Sequence, residues 1–546
     1  MKARILAAAV LVLGVCAIYA QTAWFSILAC DDVCYTFMCP FVEGGLTWEN
    51  VKTAFVGEFC WGGIWMPITS VTYMAVISLF GEAAGPQHLV GVAFHALNAV
   101  LFFALLLRLG DVGHETGGAR RGALIVAFLA AALWAWHPLR VESVAWIASR
   151  KDTIFTAFTL LGLLAWERGK WGWGTAWMAL SCMSKPTAMC FPLLALAVEY
   201  LSPKTGAECP TPRANLRGKL RYVPLFVLAA ATGLLATYSQ SHGVGGDLEL
   251  YYGTLSWRLT NAAVSLGMHL YHMVLPLGLN YFYRPVYGGT PLDAALGLSV
   301  LALFSAAVGL AYWRFKAWRR AIFWCGFWFM ASIGPTLGIA ASFGHQAYAD
   351  RFTYVPMMAF SALLVTGLAG LGRRPAILAP ALAVAALGYA AVAGWYTGTF
   401  RDDLAVFSRV LACDEGNADA WRGVGGAKYL RNHDPSESIP YFRKAIEVDP
   451  QNKAGKDLLY MLRERNRPED REEFARLTEQ FRRDPSLDED GLVLDMLMQE
   501  AMRANDLDGA RRYLEAMTKV QNERFARRAR EILSRLGPPR YGPLAK

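Results

Sequence analysis

Twenty-five consecutive residues near the N-terminus, Ile5 to Ala29, carry no charged side chain. That run constrains the chain more than any motif. About 20 apolar residues in a helix cross the hydrocarbon core of a bilayer, and in lipid a spanning segment must satisfy its own backbone N–H and C=O groups. Strong apolar runs lie at about 5–24, 88–108, 122–137, 153–167, 171–184, 186–202, 222–238, 292–313, 321–341, 354–372 and 376–396, which predicts eleven crossings. Composition agrees: 18% of residues are charged, against about 25% in a soluble domain.

Lys2 and Arg4 precede the first run. Ile18 stands where a signal-peptide cleavage site prefers a small residue, and the run continues to Ala29, so an uncleaved first helix with a cytoplasmic N-terminus is expected. Positive charge then tests the count. Eleven crossings assign Arg108 to Arg121, Arg168 to Lys170, Lys204 to Arg221, Arg314 to Arg320 and Arg373-Arg374 to the cytoplasm, and all five segments are basic. Two short, polar-studded stretches, about 66–81 and 261–278, break this agreement if they span. They read as helices lying along the outer interface.

Residues 1–400 carry 26 Lys+Arg against 17 Asp+Glu, whereas residues 401–546 carry 27 against 27. The chain is therefore expected to be all-α, with a polytopic membrane domain (1–400, first outer loop about 24–87) and a charged, neutral, soluble domain (401–546). In the tail Trp421, Gly425, Phe442, Ala445 and Pro450 follow tetratricopeptide spacing. Pro485 lies 35 residues after Pro450, and a third, degraded unit runs through Gly509, Ala510, Tyr513 and Ala516. A generic array of helical hairpins fits as well. Either arrangement offers a concave surface for an extended polypeptide.

Asp31 and Asp32 stand where the first helix surfaces. They are either solvated loop charges or part of a site at the interface. The predicted outer segments are Thr22 to Gln87, His137 to Asp152, Met183 to Pro186, Gln240 to Pro291 and Gly344 to Thr353. Their convergence describes a polar cavity open to the outside. Candidate cations for an anionic partner are Arg150, Lys151, Lys185 and Arg351; a guanidinium offers a two-pronged fork to phosphate oxygens. Interfacial anchoring of Arg150 and Lys151, snorkelling of Lys185, and mutual neutralisation of Asp350 and Arg351 are the plainer alternatives. Further candidate substrate-binding residues are His137, Glu142, Asp152, Tyr283, Arg284, His345, Asp350 and Tyr354. Glu142, Trp146 and Arg150, four apart, are expected on one helical face. Cys30, Cys34, Cys39 and Cys60 share the first outer loop, where disulfides can form; their spacing matches no regular zinc pattern. No phosphate-binding glycine loop, zinc-protease motif or serine-nucleophile elbow is present. An outward-facing site has no nucleotide sugar, so a lipid-linked sugar is the donor this geometry permits.

The ordered motifs Asp31-Asp32, Trp61-Gly62-Gly63-Ile64-Trp65-Met66-Pro67, His137-Pro138-Leu139-Arg140-Val141-Glu142-Ser143-Val144-Ala145-Trp146, Ser184-Lys185-Pro186, Tyr281-Phe282-Tyr283-Arg284-Pro285 and Ala349-Asp350-Arg351-Phe352-Thr353-Tyr354 resemble one family. These are the membrane O-mannosyltransferases of the transmembrane-and-tetratricopeptide type, within the GT-C class of integral membrane glycosyltransferases. The likeness covers nearly the whole chain, departing at Met66-Pro67, where His-Pro is common. It implies a polyprenyl-phosphate sugar donor, typically mannose, a Ser or Thr hydroxyl on a protein acceptor, and an acid in the first outer loop acting as base. That role carries over to Asp31 or Asp32. No cofactor is implied, although two acids are also a possible divalent-cation site.

The expected reaction is a single inverting displacement on the outer face of a bacterial inner membrane, with periplasmic repeats holding the acceptor and no nucleic-acid partner. A non-catalytic membrane scaffold presenting repeats is the alternative. A transporter is a weaker one, since no inverted repeat is evident.

Overall fold

The computed structural model describes residues 1–56, 64–110, 117–202, 219–242, 254–284, 291–339, 346, 348–371, 375–482, 491–503, 505–520 and 523–536. His345, Trp61 to Gly63, Cys60, Arg373-Arg374, Pro485 and most of the 204–221 basic segment lie outside these residues. Among the described residues every regular element is helical. The chain divides into two compact units, Met1–Cys413 and Asp414–Lys546, so the boundary falls after the charged helix Asp403–Cys413 rather than at residue 400. That helix belongs to the first unit because Arg409 donates to the Leu279 carbonyl (2.8 Å) and Phe407 meets the Tyr281 ring edge-on.

Four described helical segments are long and apolar enough to cross a bilayer: Lys2–Trp24, Ala84–Gly110, Pro291–Arg314 and Ile377–Phe400. The first unit is thus a membrane-associated helical body. Pro291–Arg314 begins on a proline, whose missing N–H costs nothing there, with Asp293 in its first turn and Arg314 in its last, matching the helix dipole. Leu298, Leu303, Leu310 and Trp313 on it are exposed, an outward apolar surface suited to lipid. Ala84–Gly110 is more central. Several of its buried polar side chains bond across the body: His88 contacts the Ala145 carbonyl (2.7 Å), His95 the Tyr354 hydroxyl (2.6 Å), and Asn98 donates to the Thr153 carbonyl (2.8 Å).

Helices also form at the other predicted crossings, four of them shorter than the apolar runs: Trp171–Cys182, Phe191–Leu201, Arg319–Ile333 and Pro356–Leu371. The two stretches assigned to the interface form Pro67–Phe80 and Leu255–Val274.

One expectation needs correction. Glu142, Trp146 and Arg150 do not share a helix: the chain bends by 58° between Arg121–Ala135 and Pro138–Ala145, then breaks again at Trp146, whose backbone is extended. The break is held by long-range bonds. Tyr73 donates to the Ile147 carbonyl (2.7 Å), and the Ala148 N–H donates to Asp32 (2.6 Å). A new helix, Arg150–Glu167, starts only after this segment.

The second unit stacks helical hairpins: Ala418–Asn432 with Pro435–Val448, Ala454–Arg465 followed by Arg471–Arg482, Gly491–Arg503 with Leu507–Met517, then Glu523–Leu536. Hydrogen bonds between residues 35 or 36 apart join the leading helices, from Arg422 to Asp457, Tyr429 to Glu464 and Arg463 to Gln499. Bonds at one repeat spacing set successive hairpins side by side. Gly425 packs closely on the Phe442 ring: a Cβ there would lie 3.0 Å from it, tight enough that the ring would have to shift.

Candidate functional site

Adjacent in sequence, Asp31 and Asp32 have opposite environments. Asp32 is fully buried; its Oδ2 accepts from the Leu28 N–H (3.1 Å) and its Oδ1 from the Ala148 N–H (2.6 Å). Burial pushes its carboxyl up to about 8, against the pull of those two N–H groups and with help from neighbouring Asp31 and Asp403. With both oxygens occupied, Asp32 ties the first outer loop to the 147–149 segment. Asp31 caps the short Asp32–Tyr35 turn with a φ of 27°, a backbone conformation unfavourable for a residue with a Cβ. Its side chain is exposed, and among the described residues its carboxylate takes no hydrogen bond.

The four candidate cations separate as well. Arg150 is buried, with its guanidinium donating to the backbone and side-chain oxygens of Gln87 (2.5 Å each) and lying 4.3 Å from the centre of the Tyr73 ring. It braces helices. Lys151 reaches the Tyr35 hydroxyl (3.3 Å) across the Tyr35 ring. Lys185 pairs with Asp152 at 2.5 Å, and burial holds its ammonium below the usual lysine range. Arg351 grips Glu142 with its guanidinium and also with its backbone N–H (2.8 Å), while lying over the Trp146 ring. Lys151 lies within electrostatic reach of Asp31, Arg351 and Asp152, and Lys185 within reach of Lys151 and Arg351. Three cations and Asp31 therefore form one neighbourhood.

A small, partly open cleft of about 20 Å³ lies beside Lys185 and Arg351. Asp152, Lys185 and Arg351 give it charge, Thr187, Ser332 and Thr336 hydroxyls, and Phe155, Phe352, Val355 and Pro356 an apolar wall. The Asp152 oxygen not facing Lys185 is buried without a hydrogen-bond partner. Charge, hydroxyl groups and an apolar wall thus meet at one small cleft.

Of the remaining described candidates only Tyr354 lines the cleft. Asp350 accepts from the Tyr283 hydroxyl (2.9 Å), and burial beside Glu142 keeps its carboxyl well above the usual range. Tyr283 stacks on Tyr348. Tyr354 borders the cleft, but its hydroxyl turns inward to His95 and Asn98. His137 is buried, accepting from the Leu139 N–H (3.2 Å), and so caps a turn. Arg284 is half-buried. Sequence reasoning missed Arg140, which is fully buried, donates to Thr353 (2.5 Å) and packs over Tyr354 and Trp134. An arginine inside a stretch otherwise free of basic residues was the available signal. It also missed Tyr35, Gln87 and Asp403.

Cys39 is disulfide-bonded, whereas Cys30 and Cys34, on either side of the acid pair, are free thiols. Among the described residues no group of three or more His, Cys, Asp or Glu is placed to hold a metal ion. Compared with known proteins, the chain matches no family model, no curated protein and no solved structure.

Proposed function

We propose that the first unit is a polytopic, GT-C-like glycosyltransferase that moves a sugar from a polyprenyl-phosphate donor to a Ser or Thr hydroxyl of a protein, on the outer face of the membrane. The observation that carries this reading is the meeting of Lys185 and Arg351 at a cleft with a phenylalanine-bearing wall, with Lys151 within electrostatic reach of both Arg351 and the exposed Asp31. The apolar wall takes the first isoprenes, and the cations take the phosphate. Asp31, rather than the fully hydrogen-bonded Asp32, removes the acceptor proton as the hydroxyl oxygen attacks the anomeric carbon. The bond from that carbon to the phosphate oxygen breaks, the polyprenyl phosphate leaves with its electron pair, and the configuration inverts. The stacked hairpins of the second unit, read as tetratricopeptide-like repeats, serve acceptor capture.

The test is transfer of mannose from polyprenyl phosphate to a Ser/Thr peptide by the full chain in nanodiscs. Asp31→Asn lowers the rate about 10²–10⁴-fold, with donor binding kept. Wild-type transfer by this variant removes Asp31 from the mechanism. Absence of transfer by the unmodified chain, with a phenotype lost on deleting 414–546, favours a scaffold. Topology is tested separately by reporter fusions at Pro210 and at the C-terminus, which the proposal requires on opposite sides.

A further inference from the structure

The helix Asp403–Cys413 begins with two adjacent acids that do different work. Asp402 caps its own helix, its Oδ1 accepting from the Ala405 N–H at 2.8 Å. Asp403 is not needed for capping. Its Oδ1 instead accepts from the Ala29 N–H at 2.9 Å, a contact across 374 positions of sequence and two residues from Asp31. The same junction supplies the Arg401 carbonyl to the Ser26 N–H (2.9 Å), and just before it the Gly394 carbonyl accepts from Gln21 (2.8 Å). Residues 21–29 are thus laced to the segment that ends the first unit.

The helix reaches the other side of the site too. Arg409 donates to the Leu279 carbonyl, and Phe407 meets Tyr281 edge-on. Tyr281 meets Trp146 edge-on with centroids 5.0 Å apart, and Trp146 lies under the Arg351 guanidinium. One helix therefore supports the loop bearing Asp31 through Asp403, and Arg351 through a line of aromatic rings.

From this geometry we infer that Asp403 is a positioning residue: by holding the Ala29 N–H it fixes where Asp31 stands relative to Arg351. The inference rests on the transferase reading for its kinetic consequence, though not for its structural one. Asp31 occupies a conformation that its own backbone disfavours, so neighbouring bonds must hold it there. Asp32 holds the loop from one side and Asp403 from the other. Losing either restraint leaves the base chemically intact and misplaced, and a displacement near 1 Å costs about 10²-fold in rate.

The experiment compares Asp403→Ala, Asp403→Asn and Asp402→Ala in the full chain in nanodiscs. Mannose transfer is read as kcat and donor KM, and amide hydrogen exchange is followed over residues 26–32. Asp403→Ala is expected to lower kcat about 10- to 100-fold with donor KM little changed, and to speed exchange at Ala29. Asp403→Asn keeps an oxygen acceptor and restores most of kcat. Asp402→Ala loses a helix cap and an exposed ion pair with Arg401, and retains wild-type kcat and loop protection. The inference is overturned if Asp403→Ala keeps wild-type kcat and exchange, if Asn fails as badly as Ala, or if Asp402→Ala does equal damage. If the unmodified chain transfers nothing, the transferase reading falls, and the exchange data alone decide whether Asp403 orders the loop.

Discussion

In the first unit Arg351 meets Glu142 with side-chain exposures of 14% and 0%; in the second, Arg443 meets Glu473 at 46% and 21%. Both contacts are arginine–carboxylate pairs, yet their surroundings give them different consequences. In the first unit little water is available to either partner, so the pair is strongly coupled and the loss of one member strands the other. In the second, solvent screens both partners, and the contact does little beyond favouring one side-chain arrangement. The buried set, Arg351–Glu142 and Lys185–Asp152, also keeps an unpartnered Asp152 oxygen at the cleft. Stability alone does not explain such an arrangement. In the proposed function the bound donor completes it.

Four measurements put this contrast at risk. The largest effect is expected from Glu142→Gln, which leaves Arg351 buried without its counter-charge. It should cost about 3–5 kcal/mol, read as a clearly lowered thermal midpoint in detergent. A change no greater than that of a surface pair would erase the distinction between the units. Next comes Lys185→Gln, which removes the charge-assisted contact that the proposed function assigns to the donor headgroup. It should weaken polyprenyl-phosphate binding about 10- to 100-fold, corresponding to roughly 1.5–3 kcal/mol, as followed by direct titration. Unchanged affinity would show that Lys185 serves Asp152 alone.

The third is pH dependence. The Asp32 carboxyl is pushed up to about 8 from 3.8, so the folded chain holds this proton more tightly than the unfolded chain. Its contribution to stability is full below about 3.8 and is lost as pH rises toward 8. The thermal midpoint should fall over that window, and Asp32→Asn should flatten the fall; an unaltered pH profile in the variant would assign it to other groups. The smallest effect belongs to Arg443→Ala in the second unit, within about 1 kcal/mol by denaturant unfolding. A loss comparable to that of Glu142→Gln would mean that exposure does not govern the difference.

Much of the fold was legible along the chain. The run from Pro291 to Arg314 announces its own helix, with proline at the start, arginine at the end and apolar residues between. Gly425 and Phe442 announce a hairpin, because a ring packed on a glycine needs that pairing of sizes. Less legible were the helix lengths. Only four described segments have the length and apolarity of a crossing. Turns such as Lys185-Pro186 shorten some of the others, and charges such as those that open Arg150–Glu167 lower the apolarity of another.

What the sequence by itself determined is local and periodic: apolar runs that must be helical, a charged tail that stacks in hairpins, and a set of acids and bases between the runs. Asp31-Asp32 was visible as a pair of acids where the first helix ends. The tertiary structure decided what each acid does. Asp32 is buried because the Ala148 N–H, 116 positions away, arrives at its oxygen, while Asp31 is held in place by a loop that Asp403 grips from the far end of the unit. Likewise Arg150 is diverted to Gln87, and Lys185 and Arg351 are left at the cleft. Periodicity reports the water or lipid that a face meets, but hydrogen bonds between distant segments depend on how the helices pack, and no local pattern encodes that.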